Sequence, residues 1–438
     1  MSFTLTGNSI LDLAASQTLT ILYMSEAAIF MENLDDIGSF FSRIKSNPPA
    51  VAWYQKASGL KLKRLSDFDD PCILTTAFGI QTLSLLSDLL SKYKLESYLA
   101  ESSLHEEWKA IALLQLGFCL ELLAKRKFNA MEYSLVLEAG IVLINKIQQD
   151  DFTYEYKQEL EKLYQNLMFN IDINSTGTME LACVIRSISN WNEINNYIHR
   201  DEYLTNLVLE VLSRKSYAGI FHFGPCGKAS LPLGQQFFIL ASLLQSYSFV
   251  KLDCVLEEIF NIFTTLYQVA YIDTLELFAF QRRKISYTAF DAGAVLSGLK
   301  YIAYYSAENS AQKKLINQLI DVFLEYLTKS YYESHYTEIR KLLKWTFLRH
   351  EGKAVIERKP VIRTSLPKYV YFRYPNAEIN WNRKGIVNQM DIFYLCTVLL
   401  SFLDEKSPGS EESYVHYPKM SEIDSLEMLL RILLNKGK

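Results

Sequence analysis

Three aspartates fall within four positions at the start of an apolar segment. The run DFDD at residues 67–70 leads directly into PCILTTAFGIQTLSLL. Carboxylates this close repel one another, and burial also disfavours their charge, so at least one of their pKa values should be raised. A carboxyl group that keeps its proton can act as a general acid, and its neighbours can stabilise the charge that develops.

The same run also fits an ordinary helix start. Asp70 is a suitable N-cap, and Pro71 suits the first helical position. Asp67 and Asp69 would then lie in a solvated turn, where their negative charges interact favourably with the positive end of the helix dipole. Both interpretations stay open, although helix caps are the commoner feature in proteins.

Helical periodicity runs through most of the chain, with apolar residues recurring at the spacing of one helix face. It predicts a helix in the second half of the segment 216–247 and further helices at residues 104–124, 130–149, 154–170, 178–190, 202–213, 250–271, 286–306, 311–330 and 386–403.

Several of the apolar segments begin in the same way. Each follows a polar or Gly/Pro turn, carries polar residues in its first turns and is then almost wholly apolar: Asp70-Pro71 with Thr75-Thr76, Leu231-Pro232 with Gln235-Gln236, Tyr287-Thr288 with Asp291, and Asn388-Gln389 with Asp391. Such helices are buried on most faces, whereas the more charged helices between them are amphipathic. The pattern predicts an inner ring of helices inside an outer ring, with the starts of the inner helices at one shared mouth.

The predicted fold class is therefore all-α, an α/α toroid of about six helix pairs that uses residues 1–438 as a single domain. Residues 353–375 break the helical pattern with β-branched and aromatic residues, and they predict a small β-hairpin insertion.

The DxDD pattern at the start of an inner helix resembles the acid motif of class II terpene cyclases. Those enzymes belong to a superfamily of α/α toroids that also includes squalene–hopene-type cyclases and protein prenyltransferases. The resemblance covers four residues and the helical rhythm. It implies that Asp69 is the proton donor and that Asp67 and Asp70 are its supporting carboxylates. It further implies that the substrate is a hydrophobic isoprenoid, cyclised in an aromatic-lined cavity.

A second candidate site is the Gly/Pro loop and helix start at 217–236. Aromatic rings there could stabilise a carbocation or stack on a sugar ring, and the alternative is a structural loop with packed aromatics. The predicted substrate-binding residues of this segment are Tyr217, Phe221, His222, Phe223, Gln235 and Gln236.

A third candidate set is basic, aromatic and acidic. Arginines near the mouth would suit a diphosphate or a carboxylated sugar, because a guanidinium pairs with oxyanions in a two-pronged geometry. The alternative is a solvated, charged edge. The predicted substrate-binding residues of this set are Arg282, Tyr287, Asp291, Trp381 and Asp391.

Composition excludes several classes of protein. The net charge of −4 offers no basic excess for nucleic acid, and the 6 cysteines form no CxxC pair, so we expect reduced thiols, no metal site and a cytoplasmic protein. Nucleotide-binding and serine-hydrolase motifs are absent, and no cofactor is predicted. No uncharged apolar run is long enough to span a membrane, while peripheral membrane contact and the oligomeric state stay open.

Three functions fit these patterns. The first is a terpene-cyclase-like enzyme in which Asp69 protonates an isoprenoid. The second is a carbohydrate-active enzyme on the same ring of helices, a glycoside hydrolase or lyase, with an acid at the mouth drawn from Asp69, Asp291 and Asp391 and with aromatic platforms beside it. The third is a non-catalytic helical scaffold that binds a protein partner.

Overall fold

The computed structural model describes most of the helical part of the chain. The described residues are 14, 56–58, 73–92, 104–146, 150–196, 201–216, 219–224, 230–272, 277–278, 285–307, 310–324, 371–374, 377–380, 382–383 and 386–404. They fall into two compact units. The terminal unit comprises Met1–Phe118, Tyr287–Ala289 and Leu324–Lys438, and the central unit comprises Cys119–Ser286 and Phe290–Phe323.

The described helices follow one another through both units. They are α1 (Ile73–Lys92), α2 (Leu104–Lys125), α3 (Ala130–Lys146), α4 (Asp150–Phe169), α5 (Thr178–Ile194), α6 (Glu202–Ser213), α7 (Leu233–Val250), α8 (Asp253–Ala270), α9 (Ala289–Tyr305), α10 (residues 311–324) and α11 (Gln389–Asp404). The predicted all-α class is confirmed.

The described strands are short. They are β1 (Lys56–Ser58), β2 (Tyr271–Ile272), β3 (Leu277–Phe278), β4 (Ile285–Thr288), β5 (Tyr371–Tyr374), β6 (Ala377–Asn380), β7 (Asn382–Arg383) and β8 (Ile386–Asn388). Strands β2 and β3 pair with each other, β5 pairs with β6, and β8 pairs with both β1 and β7, all antiparallel. Because residues 353–370 lie outside the described part of the chain, the hairpin predicted for 353–375 is not shown.

In the terminal unit, α1 and α11 pack against each other in parallel. The rings of Phe78 and Tyr394 lie 5.2 Å apart. About one turn later on both helices, the hydroxyl oxygens of Thr82 and Thr397 lie 3.0 Å apart. These side-chain contacts advance in the same direction along both helices, which gives the two starts a common level.

In the central unit, buried and amphipathic helices alternate. The inner helices α3, α5, α7 and α9 each contain a long unbroken or nearly unbroken run of buried residues. The outer helices bury one stripe only; α8, for example, buries Val255, Ile259, Ile262 and Leu266 while its remaining face carries polar side chains. This spacing is that of a single apolar helix face, so the predicted alternation of inner and outer helices is present in this unit.

The inner helices approach each other and their outer partners closely. A Cβ atom on Gly140 of α3 would meet the side chain of Leu160 on α4 at 2.7 Å, and one on Gly298 of α9 would meet the Phe237 ring of α7 at 2.7 Å. Real Cβ atoms do not come this near, so the absence of a side chain at these glycines sets the spacing between the helices.

A buried ion pair connects α3 and α5. Arg186 donates from Nε and from Nη2 to the two carboxylate oxygens of Glu138, each over 2.5 Å, and the Glu138 side chain is only 2% exposed. The guanidinium carbon lies 4.7 Å from the centre of the Phe238 ring on α7. This arrangement satisfies both charges and adds a cation–π contact, which a buried pair needs to offset its desolvation.

We predict that Glu138→Ala strongly destabilises the protein, because it leaves the Arg186 charge buried without its carboxylate. The expected loss is about 3–5 kcal/mol of unfolding free energy, measured by urea denaturation. The double replacement Glu138→Leu with Arg186→Met removes both charges and should recover most of this loss. A double variant no more stable than Glu138→Ala would contradict the assignment.

We also predict selective reactivity of the cysteines. Burial raises the pKa of the Cys183 thiol from its ordinary value of 9.0 to about 12, whereas Cys254 is exposed. Iodoacetamide at pH 8 should alkylate Cys254 and leave Cys183 unmodified until the protein unfolds, as peptide mass spectrometry can show. Since the unfolded thiol ionises first, the contribution of Cys183 to stability is present below pH 9.0 and is lost as the pH rises towards about 12.

Candidate functional site

The starts of α5 and α7 are tied together by one loop. The side chain of Gln236 on α7 accepts a hydrogen bond from the Phe221 N–H over 2.9 Å and donates to the carbonyls of Phe221 and Leu231. The carbonyl of Phe223 accepts a hydrogen bond from the Thr178 N–H at the first residue of α5 over 3.1 Å. Phe221 and Gln236 are fully buried, so both serve the attachment of the loop to the helices.

The starts of α5, α7 and α9 lie at one level. Near the helix ends, Gln245 of α7 donates a hydrogen bond to Asn190 of α5. Each of these residues lies twelve positions after the first residue of its helix, which is Leu233 in α7 and Thr178 in α5. Helices α7 and α9 also run in parallel, since Phe238 stacks on Phe290 near the starts and Tyr247 meets Tyr305 near the ends, over 6.0 and 5.4 Å. We call this cluster of helix starts in the central unit the mouth.

Asp291 lies in the first turn of α9 and packs against the start of α7. A Cβ atom on Gly234 would lie 2.8 Å from the Asp291 Cα and 3.1 Å from its carboxyl carbon. The carboxyl group of Asp291 is thereby held beside the main chain at the start of α7, where the positive end of a helix dipole favours negative charge.

Two polar atoms at the mouth are buried without a hydrogen-bond partner among the described residues. They are the Thr178 hydroxyl on α5 and the Gln235 side-chain oxygen on α7. Within the helices, buried hydroxyls donate to the carbonyl four residues earlier, as Ser189 does to Ile185. Thr178 is the first residue of α5, so no helical carbonyl lies four residues before it to accept from its hydroxyl. The Gln235 oxygen is an acceptor and has no donor partner among the described residues.

The terminal unit repeats this arrangement at the starts of α1 and α11. Thr75 is fully buried, and its hydroxyl also lacks a partner in the described chain. Thr75 lies three residues before Phe78, and Asp391 lies three residues before Tyr394, in the first turn of α11. Because the two rings are in contact, Thr75 and Asp391 lie at the same level. An acid and an unpaired buried hydroxyl therefore occupy neighbouring inner-helix starts in this unit too.

The other predicted site residues are distributed differently. Phe223 exposes 53% of its surface. His222 lines a groove formed by α6, α8 and the loop between α6 and α7. Tyr287 belongs to β4. Several predictions lie outside the described residues: Asp67, Asp69, Asp70, Tyr217, Arg282 and Trp381.

Sequence reasoning missed Thr178 and Gly234. A signal for each was present. Thr178 is the first residue of the predicted helix 178–190 and directly follows Gly177, and Gly234 stands in the first turn of an apolar helix, where a glycine often marks the close approach of another backbone. Their roles depend on which helix lies alongside, and that information is tertiary.

No known protein family and no curated protein matches the sequence of the chain. Solved structures do resemble it. One is an unsaturated glucuronyl hydrolase from Streptococcus agalactiae, with a TM-score of 0.50 and 12% sequence identity over 93% of this chain and 94% of that one.

Two others are family 76 glycoside hydrolases. An inactive variant of an α-1,6-mannanase from Salegentibacter sp. HEL1_6, in complex with α-1,6-mannotriose, gives a TM-score of 0.50 and 10% identity over 90% of this chain and all 100% of that one. An enzyme from a bovine Bacteroides thetaiotaomicron strain gives 0.51 and 8% over 91% and 78% of the two chains.

These likenesses define the fold, which is an α/α toroid as predicted. They also correct the predicted function. The interpretation as a terpene cyclase is wrong, because the structures that share the fold are glycoside hydrolases. The predicted hydrophobic isoprenoid substrate is wrong as well, since the mannanase is seen with mannotriose bound. The prediction relied on a four-residue motif and on a fold, and a fold does not by itself determine function.

Two further features bear on the class of protein. Within the described chain, no helix is both long enough and apolar enough to span a membrane. Among the same residues, no group of three or more His, Cys, Asp or Glu side chains is arranged to hold a metal ion.

We predict that Gly234→Ala disturbs the mouth. The added methyl group would meet the main chain of Asp291, which cannot rotate away, so the starts of α7 and α9 must move apart. The expected loss is about 1–3 kcal/mol of unfolding free energy in a urea titration. Gly224→Ala is the matched control, since its Cβ would meet no atom. Equal stability of both variants and the unaltered protein would refute the close packing at Asp291.

Proposed function

We propose that the chain is a carbohydrate-active enzyme, a glycoside hydrolase or lyase, that binds its substrate where the inner helices begin. The fold supports this proposal, since the likeness to three glycoside hydrolases extends over at least 90% of the chain. A fold alone does not determine function, so the proposal must also rest on the chemistry of particular residues.

The observation that carries the proposal is the position of Asp291. Its carboxyl group lies in the first turn of α9 and packs against Gly234 at the start of α7. The residue after Gly234 is Gln235, whose side-chain oxygen has no hydrogen-bond partner among the described residues. A sugar hydroxyl can donate to such an oxygen and relieve the cost of leaving it unpaired. The exposed ring of Phe223 offers a flat apolar face to a sugar ring.

Asp291 is the acid that we propose for the reaction at the mouth, and Asp391, in the first turn of α11, is a candidate acid of the terminal unit. Glycoside hydrolysis commonly uses two carboxyl groups, of which one protonates the leaving oxygen while the other activates water or attacks the anomeric carbon. In the lyase version a base removes a proton next to a carboxylate and the glycosidic oxygen leaves. Asp69, supported by Asp67 and Asp70, remains a further candidate acid. Tyr217, Arg282, Tyr287 and Trp381 remain candidate sugar-contacting residues, and residues 1–438 would form one catalytic domain.

The first test is activity. The full-length protein is incubated with a panel that includes α-1,6-mannooligosaccharides and unsaturated glucuronyl disaccharides, and products are identified by mass spectrometry. Asp291→Asn should lower kcat/KM about 100- to 10,000-fold on the substrate that reacts, as loss of an acid–base group does. Asp253→Asn, an exposed acid in the first turn of the outer helix α8, is the control and should keep full activity.

The role of Asp291 is identified with an aryl glycoside whose phenolate leaves without protonation. Asp291→Asn should retain activity on this compound if Asp291 is the general acid, and should lose it if Asp291 is the base or nucleophile. If no member of the panel is cleaved, or if Asp291→Asn keeps full activity on the natural glycosides, the proposal is refuted.

A further inference from the structure

A groove lies among the outer helices of the central unit, apart from the inner-helix starts. It is formed by the last turn of α6, residues 215–216, 219 and 222 of the following loop, and the middle of α8. Its volume is about 1020 Å³, which is comparable to the roughly 300–1,000 Å³ typical of small-molecule sites. The lining residues are Leu212, Ser213, Lys215, Ser216, Gly219, His222, Glu258, Asn261, Ile262 and Thr265.

The described loop residues on one wall of the groove are hydrogen-bonded to one another. Ser216 N–H donates to the Ile220 carbonyl over 2.8 Å, and Gly219 N–H donates to the Ser216 carbonyl over 2.9 Å. Gly219 has a φ of 75°, a conformation that favours glycine. A Cβ atom there would come within 3.3 Å of the Thr265 hydroxyl on α8, so the loop is seated directly against this helix.

The residues that line the groove include one pair of opposite charges and two apolar side chains. Lys215 on the loop and Glu258 on α8 form an ion pair, and each side chain is about one-third exposed. The apolar side chains of Leu212 and Ile262, which also line the groove and which we call its apolar floor, are buried. Because the charges cancel, the groove has little attraction for an anion or a cation, yet both groups can still hydrogen-bond to a ligand.

His222, which lines the groove, has a ring nitrogen without a hydrogen-bond partner in the part of the chain that the structure describes. Its Nδ1 atom is buried and has no hydrogen-bond partner among the described residues. Leaving a buried polar atom unpaired is unfavourable, and such atoms often mark the place of a water or a ligand. A hydroxyl group suits this position in either tautomer of the imidazole, because a hydroxyl both donates and accepts.

We propose that this groove is a second binding site, separate from the mouth, for a neutral saccharide unit. The ligand places hydrogen-bonding hydroxyls against His222, Asn261 and the Lys215–Glu258 pair, and its C–H face rests on the apolar floor. An uncharged polyhydroxylated ring matches the mixture of donors and acceptors here, whereas a charged ligand would have to compete with the ion pair.

The test uses the imidazole signals of the full-length protein. The chain contains only 6 His, so selective ¹³C labelling of histidine gives a spectrum in which the His222 signal is assigned by its absence in His222→Gln. Methyl α-mannopyranoside and α-1,6-mannobiose are titrated separately. The His222 signal should shift and saturate with one of them. No shift, or a shift that grows linearly without saturation, would overturn the proposal.

Variants that retain His222 identify the binding surface. Asn261→Ala should weaken the saccharide affinity at least about fivefold, since it removes one hydrogen bond of about 1 kcal/mol. Lys215→Met combined with Glu258→Leu removes the ion pair without stranding a charge and should weaken it further. Glu159→Gln, which breaks the exposed pair of Glu159 with Lys162 on α4, is the matched control and should leave the titration unchanged. Equal affinities of all these variants would refute the site.

The result does not depend on catalysis. A saturable His222 shift without cleavage of any glycoside would support the groove and refute the proposed activity. Cleavage that depends on Asp291, without a His222 shift, would do the reverse. The two proposals can therefore fail separately.

Discussion

The burial of the inner helices on nearly all faces is the constraint on which the rest of the structure depends. A helix enclosed in this way has no polar face, so its polar side chains must be satisfied within the helix or collected at its ends. Ser134 and Ser242 show the first solution, since each donates to the carbonyl four residues earlier. Thr178 and Gln235 show the second, because their polar atoms lie at helix starts and have no such partner in the described chain.

The same constraint explains how the inner helices are positioned. Where a charge lies in the middle of such a helix, as Arg186 does, it is matched by a carboxylate and covered by an aromatic ring. Where two helices come closest, a glycine is found, as at Gly298 beside Phe237. These contacts fix the helices laterally and leave their first turns, with Asp291 among them, available for chemistry.

The sequence predicted the helices well because periodicity is a local property. The bounds of α6 agree with the predicted 202–213, and α9 begins three residues after the predicted start because β4 precedes it. The alternation of buried and amphipathic helices could also be recognised. The function was predicted wrongly, since a short acidic motif has many uses. The contact of Gly234 with Asp291 joins helices more than fifty residues apart, and no local pattern encodes it.

The loop between α6 and α7 is held through main-chain groups and the side chain of Gln236, while the side chains of His222 and Phe223 take no part in its attachment. Replacements at those two positions therefore break none of the hydrogen bonds that attach the described part of the loop. Ligand preference can diverge through point changes in this loop while the helices are conserved. Such separation of the framework from the variable surface is one reason why a single architecture can accommodate many specificities.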